Sequence, residues 1–151
     1  MKTLSVAVRS MRDEDAEAVA ALSGQLDYPA SGADVRRRFE SIAERGEAEV
    51  FVAEDATGRI VGWVHAYIVD LIEVDRHVEI GGLVVDEQTR GQGVGRALMM
   101  AAEAWTRQTR CGSVRVRSQI KREGAHAFYE GLGYEYVKTQ KTFQKRLHAR
   151  V

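Results

Sequence analysis

The stretch "LVVDEQTRGQGVGRALMMAAEAW", residues 83–105, decides how the rest of the sequence is interpreted. Three alternating glycines, Gly91, Gly93 and Gly95, separate an apolar run typical of a strand from a run with helical periodicity. Glycine lets a ligand approach the backbone without meeting a Cβ atom, and a helix N-terminus offers unpaired N–H groups with a partial positive charge. The stretch therefore predicts either a tight turn or a loop that cradles phosphate groups between a strand and a helix.

The spacing of these glycines excludes two common nucleotide-binding motifs. A Walker A loop requires G-x-x-x-x-G-K-[ST], and this stretch has no such lysine. A dinucleotide fingerprint requires G-x-G-x-x-G, but its third glycine falls on Arg96 or on Leu98, depending on the starting residue. Only Arg115 or Arg117, as a partner of a 2'-phosphate, keeps binding of NADP open. The pattern that fits is R-x-x-G-x-G, which begins at Arg90.

Length and composition are those of one globular domain, which we place at residues 1–151. No apolar run approaches the ~20 residues of a membrane span. The N-terminal stretch resembles a signal peptide only briefly, because Arg9 interrupts its apolar part and acidic residues follow. We therefore expect a cytoplasmic protein without a membrane partner. The single Cys111 excludes an internal disulfide, and we expect it to be a packed residue and no metal site to be present.

The charge is balanced overall but unevenly distributed. Residues 1–104 contain 19 acidic and 11 basic residues, a net −8, whereas residues 105–151 contain 3 and 11, a net +8. This division argues against a nucleic-acid-binding protein. The basic C-terminal third could face an anionic ligand and the acidic part a cationic one, although two solvated faces would give the same pattern.

Apolar periodicity and turn residues predict the element order β-α-α-β-β-β-α-β-α-β-β. Capping boxes are predicted at the starts of the first two helices, at Ser10 with Asp13 and at Ser31 with Asp34. Gly46 is expected to end the second helix. The Gly81-Gly82 pair inside the fourth strand predicts a bulge or a close approach of another part of the backbone.

Two predictions concern the later elements. The helix after the glycines is expected to bury one face, consisting of Val94, Ala97, Leu98, Ala101, Ala104 and Trp105. The segments "YEYVKT" and "KTFQKRL" alternate in polarity and predict a closing β-hairpin.

The R-x-x-G-x-G loop, preceded by "EIGGLVVDE" and followed by an amphipathic helix, resembles the phosphate loop of the GNAT superfamily of N-acetyltransferases. The later segment "AHAFYEGLGY" is similar to the second signature of that family, and the element order matches over nearly the whole chain. The resemblance implies an α/β (α+β) fold. Its central sheet would be mixed and mostly antiparallel, with about six to seven strands and about four flanking helices.

The resemblance also implies a reaction, the transfer of an acetyl group from acetyl-CoA to a primary amine by direct attack in a ternary complex, with CoA as product. The loop would bind the pyrophosphate, and the main chain of the fourth strand would bind the pantetheine arm. Tyr129, in "FYEGLGY", would protonate the leaving thiolate. The donor-binding residues implied are Leu83, Val84, Val85, Arg90, Gly91, Gln92, Gly93, Val94, Gly95 and Arg96.

The base that removes the amine proton is less well determined. Glu79 resembles one common placement in the family, whereas another falls on Gly81. Three residues in or next to the preceding loop compete with Glu79 for the role of base: Glu73, Asp75 and His77. An amine that arrives neutral needs no base. We interpret His65 and His126 as surface or structural residues. Arg122 stands where many relatives carry asparagine, and we assign it no catalytic role.

The acceptor is expected to meet the segment "SGQLDYPASG", residues 23–32, which walls the acceptor site in similar proteins. Asp27 could attract an ammonium group and Tyr28 could stack on it. These residues favour a small amine, aminoglycoside-like or polyamine-like. Two alternative functions stay open, a protein or peptide N-acetyltransferase and a non-catalytic acyl-CoA-binding sensor. A homodimer is also possible, since members of the family often dimerise.

Overall fold

Among the residues that the structure describes, five strands form one sheet, and there are four α-helices. The computed structural model describes residues 3–118 and 123–148, in two compact units, Met1–Arg117 and Ser118–Val151. The first unit contains β1 (Val6–Ser10), α1 (Ala16–Gly24), α2 (Gly32–Arg45), β2 (Ala48–Asp55), β3 (Ile60–Val69), β4 (His77–Val85), α3 (Val94–Gln108) and β5 (Val114–Val116). The second unit contains α4 (Glu123–Gly131). The predicted α/β class is confirmed.

The strands lie in chain order, β1-β2-β3-β4-β5. Neighbouring strands are antiparallel up to β4, and β5 runs parallel to β4. The predicted bulge is confirmed: His65 pairs with Gly82 and Ala66 pairs with Ile80, so Gly81 is the extra residue on β4. The β4–β5 ladder covers residues 78–80 only, and it therefore ends where the bulge begins.

The two faces of the sheet carry different helices. On one face α3 packs so closely that a Cβ atom on Gly62 would lie 3.0 Å from the Leu98 side chain. The other face meets α1 and α2 through an apolar cluster that includes Met11, Ala16, Val19, Leu22, Val50, Val52, Ile60 and Val84. Trp63 packs against this cluster. Because side chains alternate along a strand, His65 and Tyr67 lie on the same face as Trp63.

One of the two predicted capping boxes is confirmed. The Asp34 N–H donates to the Ser31 hydroxyl at 3.0 Å, and the Ser31 N–H donates to the Asp34 carboxylate at 3.4 Å. Gly46, at φ 70°, ends the helix as predicted.

The capping box at Ser10 is wrong. Ser10 still belongs to β1, where it pairs with Phe51, so the sheet rather than the helix uses its backbone. Asp15 takes the capping role, because its carboxylate accepts a hydrogen bond from the Arg12 N–H at 2.8 Å. The same carboxylate accepts two bonds from the Arg9 guanidinium, at 2.8 and 2.9 Å.

The buried face of α3 is rotated from the predicted one. Val94 and Leu98 are buried as expected, but Ala104 is exposed. The other buried residues are Met99, Ala102 and Thr106. The polar Thr106 is tolerated on the buried face because its hydroxyl donates to the Ala102 carbonyl at 2.8 Å.

The predicted closing hairpin is not formed. Residues 134–147 of the second unit contain no strand, so the described part of the chain has five strands rather than six to seven. A two-stranded hairpin is marginal in water, and the connecting residues "TQK" contain no glycine or asparagine to favour a tight turn. None of the described helices is long and apolar enough to cross a membrane.

Candidate active site

The glycine loop has the geometry of an anion cradle. Gly91 and Gly93 adopt φ values of 77° and 88°, a left-handed conformation that strains residues with a side chain. Gly93 is the N-cap of α3, and the first hydrogen bond of the helix runs from the Ala97 N–H to the Gly93 carbonyl at 3.0 Å. The three preceding N–H groups, on residues 94–96, have no acceptor within the helix. They are therefore available to a phosphate.

A buried carboxylate, Asp86, anchors the start of this loop. It accepts hydrogen bonds from the Arg59 guanidinium, from the Gln25 amide at 3.3 Å and from the Gln88 N–H at 3.3 Å. Burial acts to raise the pKa of Asp86, but the bonds from Gln88 and Gln25 and the charge of Arg59 outweigh it and lower the pKa. Gln25 also accepts from the Glu87 N–H at 3.0 Å. Asp86 thus ties the loop to the end of α1 and to the β2–β3 turn.

Sequence reasoning missed the Asp86 anchor. An aspartate after a strand and before a helical turn is a recognisable capping signal, and Asp86 does cap the short turn Glu87–Thr89. Its other partners, Gln25 and Arg59, stand 61 and 27 residues away in sequence. No local pattern connects residues so far apart.

The side chains around the loop suit phosphate recognition. Arg90 and Arg96 are exposed, and neither forms an ion pair with the residues that the structure describes. Both guanidinium groups are therefore free to contact phosphate oxygens. Gln92 is held in the loop, since its carbonyl accepts from the Leu4 N–H at 2.8 Å.

The predicted pantetheine-binding residues lie at the end of β4. Leu83, Val84 and Val85 pair with β3 along one backbone edge. Their other backbone edge faces the side of β5, but the β4–β5 ladder ends at the pair Ile80–Val116 and does not reach them. Within residues 3–118 this second edge therefore has no β-ladder, and an extended ligand with amide groups can add to it as a strand does.

Glu79 lies on β4, two residues before the bulge, and is buried. Its carboxylate lies 2.8 Å from the Arg117 guanidinium and 4.0 Å from His77 Nε2. Tyr67 is its register partner on β3. Burial and the Glu79 charge raise the pKa of the Tyr67 phenol, and Arg117 opposes them. Glu79 is thus a buried carboxylate on the α1–α2 face with an exposed arginine as counter-ion.

The three residues that compete with Glu79 for the role of base line an open depression of about 470 Å³. Glu73 and Asp75 are exposed there. His77 is buried, and its Nδ1 lies 3.0 Å from the Asp75 carbonyl oxygen. The remaining lining residues are Ile72, Val74, Ser113 and Arg115.

Asp27 and Tyr28 lie just after α1 and are both exposed. Asp27 has a φ of 62°, an unusual backbone conformation for a residue other than glycine. They follow Gln25 closely in the chain, and Gln25 is bonded to Asp86 and Glu87 at the start of the glycine loop. The predicted acceptor residues therefore begin next to the predicted donor site.

Tyr129 belongs to the second unit. It lies on α4, half-buried, with its ring in edge contact with Phe128 at 5.1 Å and with Tyr134 at 6.0 Å between centroids. The Tyr134 N–H donates to the Tyr129 carbonyl at 3.0 Å, which folds the "LGY" end of the motif back onto the helix. His126 is half-buried on α4, and Arg122 lies outside the described residues.

Comparison with known proteins shows which family has this fold and these motifs. The model of the Acetyltransferase (GNAT) family matches residues 10–134. The chain is 32% identical, over 85% of each sequence, to an aminoglycoside N(6')-acetyltransferase type 1 from Stenotrophomonas maltophilia. A Trypanosoma brucei acetyltransferase structure is 27% identical with a TM-score of 0.77, over 93% of this chain and 100% of that one.

A structure of the aminoglycoside N-acetyltransferase AAC(6')-Iy in complex with CoA has the same fold. It is 20% identical with a TM-score of 0.83, over 96% of this chain and 97% of that one. The glycine loop and the open edge of β4 fit a CoA ester, since they offer backbone N–H groups to phosphates and a strand edge to an amide-bearing arm. The chain therefore belongs to the GNAT family of acetyltransferases, and it is an N-acetyltransferase that uses acetyl-CoA.

Proposed function

We propose that this enzyme acetylates a primary amine of a small cationic molecule, with aminoglycosides as the first class to test. The observation that carries the proposal is the buried Glu79 carboxylate, which lies on the α1–α2 face where the β4–β5 ladder ends. The name of the Stenotrophomonas maltophilia relative supports the choice of aminoglycosides. Exposed acids at Asp27, Glu73 and Asp75 add a field that attracts an ammonium group.

Binding of the donor falls to the backbone. The N–H groups at the start of α3 and the side chains of Arg90 and Arg96 bind the pyrophosphate, and the edge of residues 83–85 binds the pantetheine arm. A backbone N–H near the bulge can also polarise the thioester carbonyl. These contacts fix the donor before the amine arrives, which lowers the entropic part of the barrier.

The chemical step needs two proton transfers. The amine nitrogen forms a bond to the acetyl carbon while the carbon–sulfur bond breaks. Glu79 accepts the proton from the amine, and Tyr129 donates the proton that the leaving thiolate takes up. The products are the N-acetyl amine and CoA. The role of Tyr129 rests on its position in "FYEGLGY", and that of Glu79 on its burial and its place on β4.

Replacing Glu79 with glutamine is expected to lower kcat/KM for the amine by about 10²-fold, because general-base catalysis is lost. The amide keeps an oxygen that accepts from Arg117, so we expect the fold and CoA binding to persist. Initial rates of thiol release against amine concentration measure the loss. Glu73→Gln, a change in the exposed neighbouring loop, is the comparison. A large loss in Glu73→Gln with none in Glu79→Gln would assign the base to the loop instead.

The acceptor class is tested with a panel of amines at fixed acetyl-CoA. Aminoglycosides, polyamines and lysine-containing peptides are compared by thiol release, with product mass as a second readout. We expect turnover of aminoglycosides or polyamines and none of peptides. Turnover of peptides alone would replace the small-amine proposal with a peptide N-acetyltransferase. Acetyl-CoA binding without turnover of any amine would favour an acyl-CoA sensor.

The extent of the domain and its location are part of the same proposal. The family match runs across both compact units, which supports one acetyltransferase domain over residues 1–151. We place the reaction in the cytoplasm as part of this proposal.

A further inference from the structure

Two ring nitrogens on β3 are buried and have no partner in the part of the chain that the structure describes. Trp63 Nε1 and His65 Nε2 are shielded from solvent and have no hydrogen-bond partner among the described residues. Buried polar atoms are nearly always paired, because leaving one unpaired forfeits the hydrogen bond that it made with water. Two such atoms on alternate residues of one strand face therefore indicate that a ligand or a bound water completes the site.

Both rings lie against the glycine bulge. A Cβ atom on Gly81 would lie 2.8 Å from His65 Nδ1, and one on Gly82 would lie 2.7 Å from the six-membered ring of Trp63. The two glycines thus make room for the two rings. Since the β4–β5 ladder ends at the bulge, Trp63 and His65 line the strand at the point where the proposed function puts the reacting groups.

The chemistry of the two nitrogens restricts what can bind there. An indole N–H only donates, so the atom that faces Trp63 must be an acceptor and cannot be an ammonium group. Burial lowers the pKa of His65, so its imidazole is neutral at neutral pH and can accept or donate. A hydroxyl group satisfies both, because it accepts from an indole and also donates to or accepts from an imidazole.

We propose that Trp63 and His65 bind hydroxyl groups of the acceptor, so that this enzyme selects amino alcohols such as amino sugars over polyamines. The inference rests on the proposed function and deepens it. Glu79 and the exposed acids recognise the charge of the amine, which a polyamine carries equally. Trp63 and His65 recognise the oxygen beside it, which a polyamine lacks.

The test compares kanamycin B with dibekacin, an analogue that lacks two hydroxyl groups on the ring that carries the 6'-amine, and with spermidine. We expect kcat/KM to be about tenfold or more higher for kanamycin B than for dibekacin, as the loss of at least one hydrogen bond predicts. Trp63→Phe and His65→Phe keep an aromatic ring but remove the nitrogen. They should lower kcat/KM for kanamycin B by a similar factor and leave the value for dibekacin nearly unchanged.

Trp105→Phe on α3 is the matched control and should not change the preference. It also leaves Trp63 as the single tryptophan, since the chain has two. The fluorescence of this variant should then change on titration with kanamycin B and not with spermidine, which reports binding without turnover.

The inference is overturned if kanamycin B and dibekacin react equally well, if each variant loses activity equally on both, or if neither aminoglycoside binds. A thermal-shift measurement with CoA distinguishes failure of this inference from failure of the proposed function. A retained CoA shift with no hydroxyl preference removes this inference alone, whereas loss of the shift in the unaltered protein removes the proposed function as well.

Discussion

The variant Tyr129→Phe is expected to lower kcat by about 10²- to 10⁴-fold, because the leaving thiolate loses its proton donor. The phenylalanine ring can keep the edge contacts that Tyr129 makes with Phe128 and Tyr134. Binding of CoA should therefore persist. Steady-state rates of thiol release give kcat, and a thermal-shift titration with CoA gives binding in the same preparation.

The control for this prediction is Tyr134→Phe, which removes a hydroxyl from the neighbouring ring on the same short segment. Its backbone N–H still donates to the Tyr129 carbonyl. We expect it to keep most of the activity. If Tyr129→Phe reacts as fast as the unaltered enzyme, the phenol is not the acid, and solvent protonates the thiolate. If both variants lose CoA binding, the hydroxyl groups support structure rather than chemistry.

The second large effect is expected at the glycine loop. Gly93→Val should abolish the stabilisation by CoA, which for a ligand at ~100 times its dissociation constant is about 2.7 kcal/mol. Gly93 has a φ of 88° and precedes the free N–H groups of α3. A branched side chain is strained there and occupies space beside the phosphates. Thermal unfolding with and without CoA measures the effect.

Gly46→Val is the matched control, since it separates backbone strain from loss of the ligand. Gly46 has a φ of 70°, and a Cβ atom there would meet nothing within 4 Å. Both variants should lose about 1–2 kcal/mol of stability from the left-handed conformation. Only Gly93→Val should also lose its response to CoA. Retention of the full CoA shift in Gly93→Val would mean that the loop is a turn and not the phosphate site.

Local signals in the sequence predicted the backbone features around the glycine loop and the bulge. Glycines are recognised from single positions, so the loop, the bulge at Gly81 and the end of α2 at Gly46 were all predicted from the sequence. The box at Ser31 and Asp34 spans three residues, and its hydrogen bonds lie within one turn. Each of these features depends on backbone geometry that one or two residues impose.

Longer-range pairing decided the rest. Alternating polarity predicted a closing hairpin over residues 134–147, but alternation states only which face a strand would bury, and a hairpin alone in water is marginal. The box at Ser10 failed because Ser10 pairs with Phe51 on β2, which stands far along the chain. The periodicity of a strand sequence shows which face is buried but not which other strand pairs with it.

The sequence by itself predicted the family and the glycine loop before α3, because both depend on short motifs. The tertiary structure alone showed that Asp86 anchors that loop and that the Arg117 guanidinium lies against the Glu79 carboxylate. It also showed that the rings of Trp63 and His65 lie over the glycine bulge, with buried nitrogens that have no partner in residues 3–118 and 123–148. Each of these facts joins residues on different strands or helices, and only the packing of those elements brings them into contact.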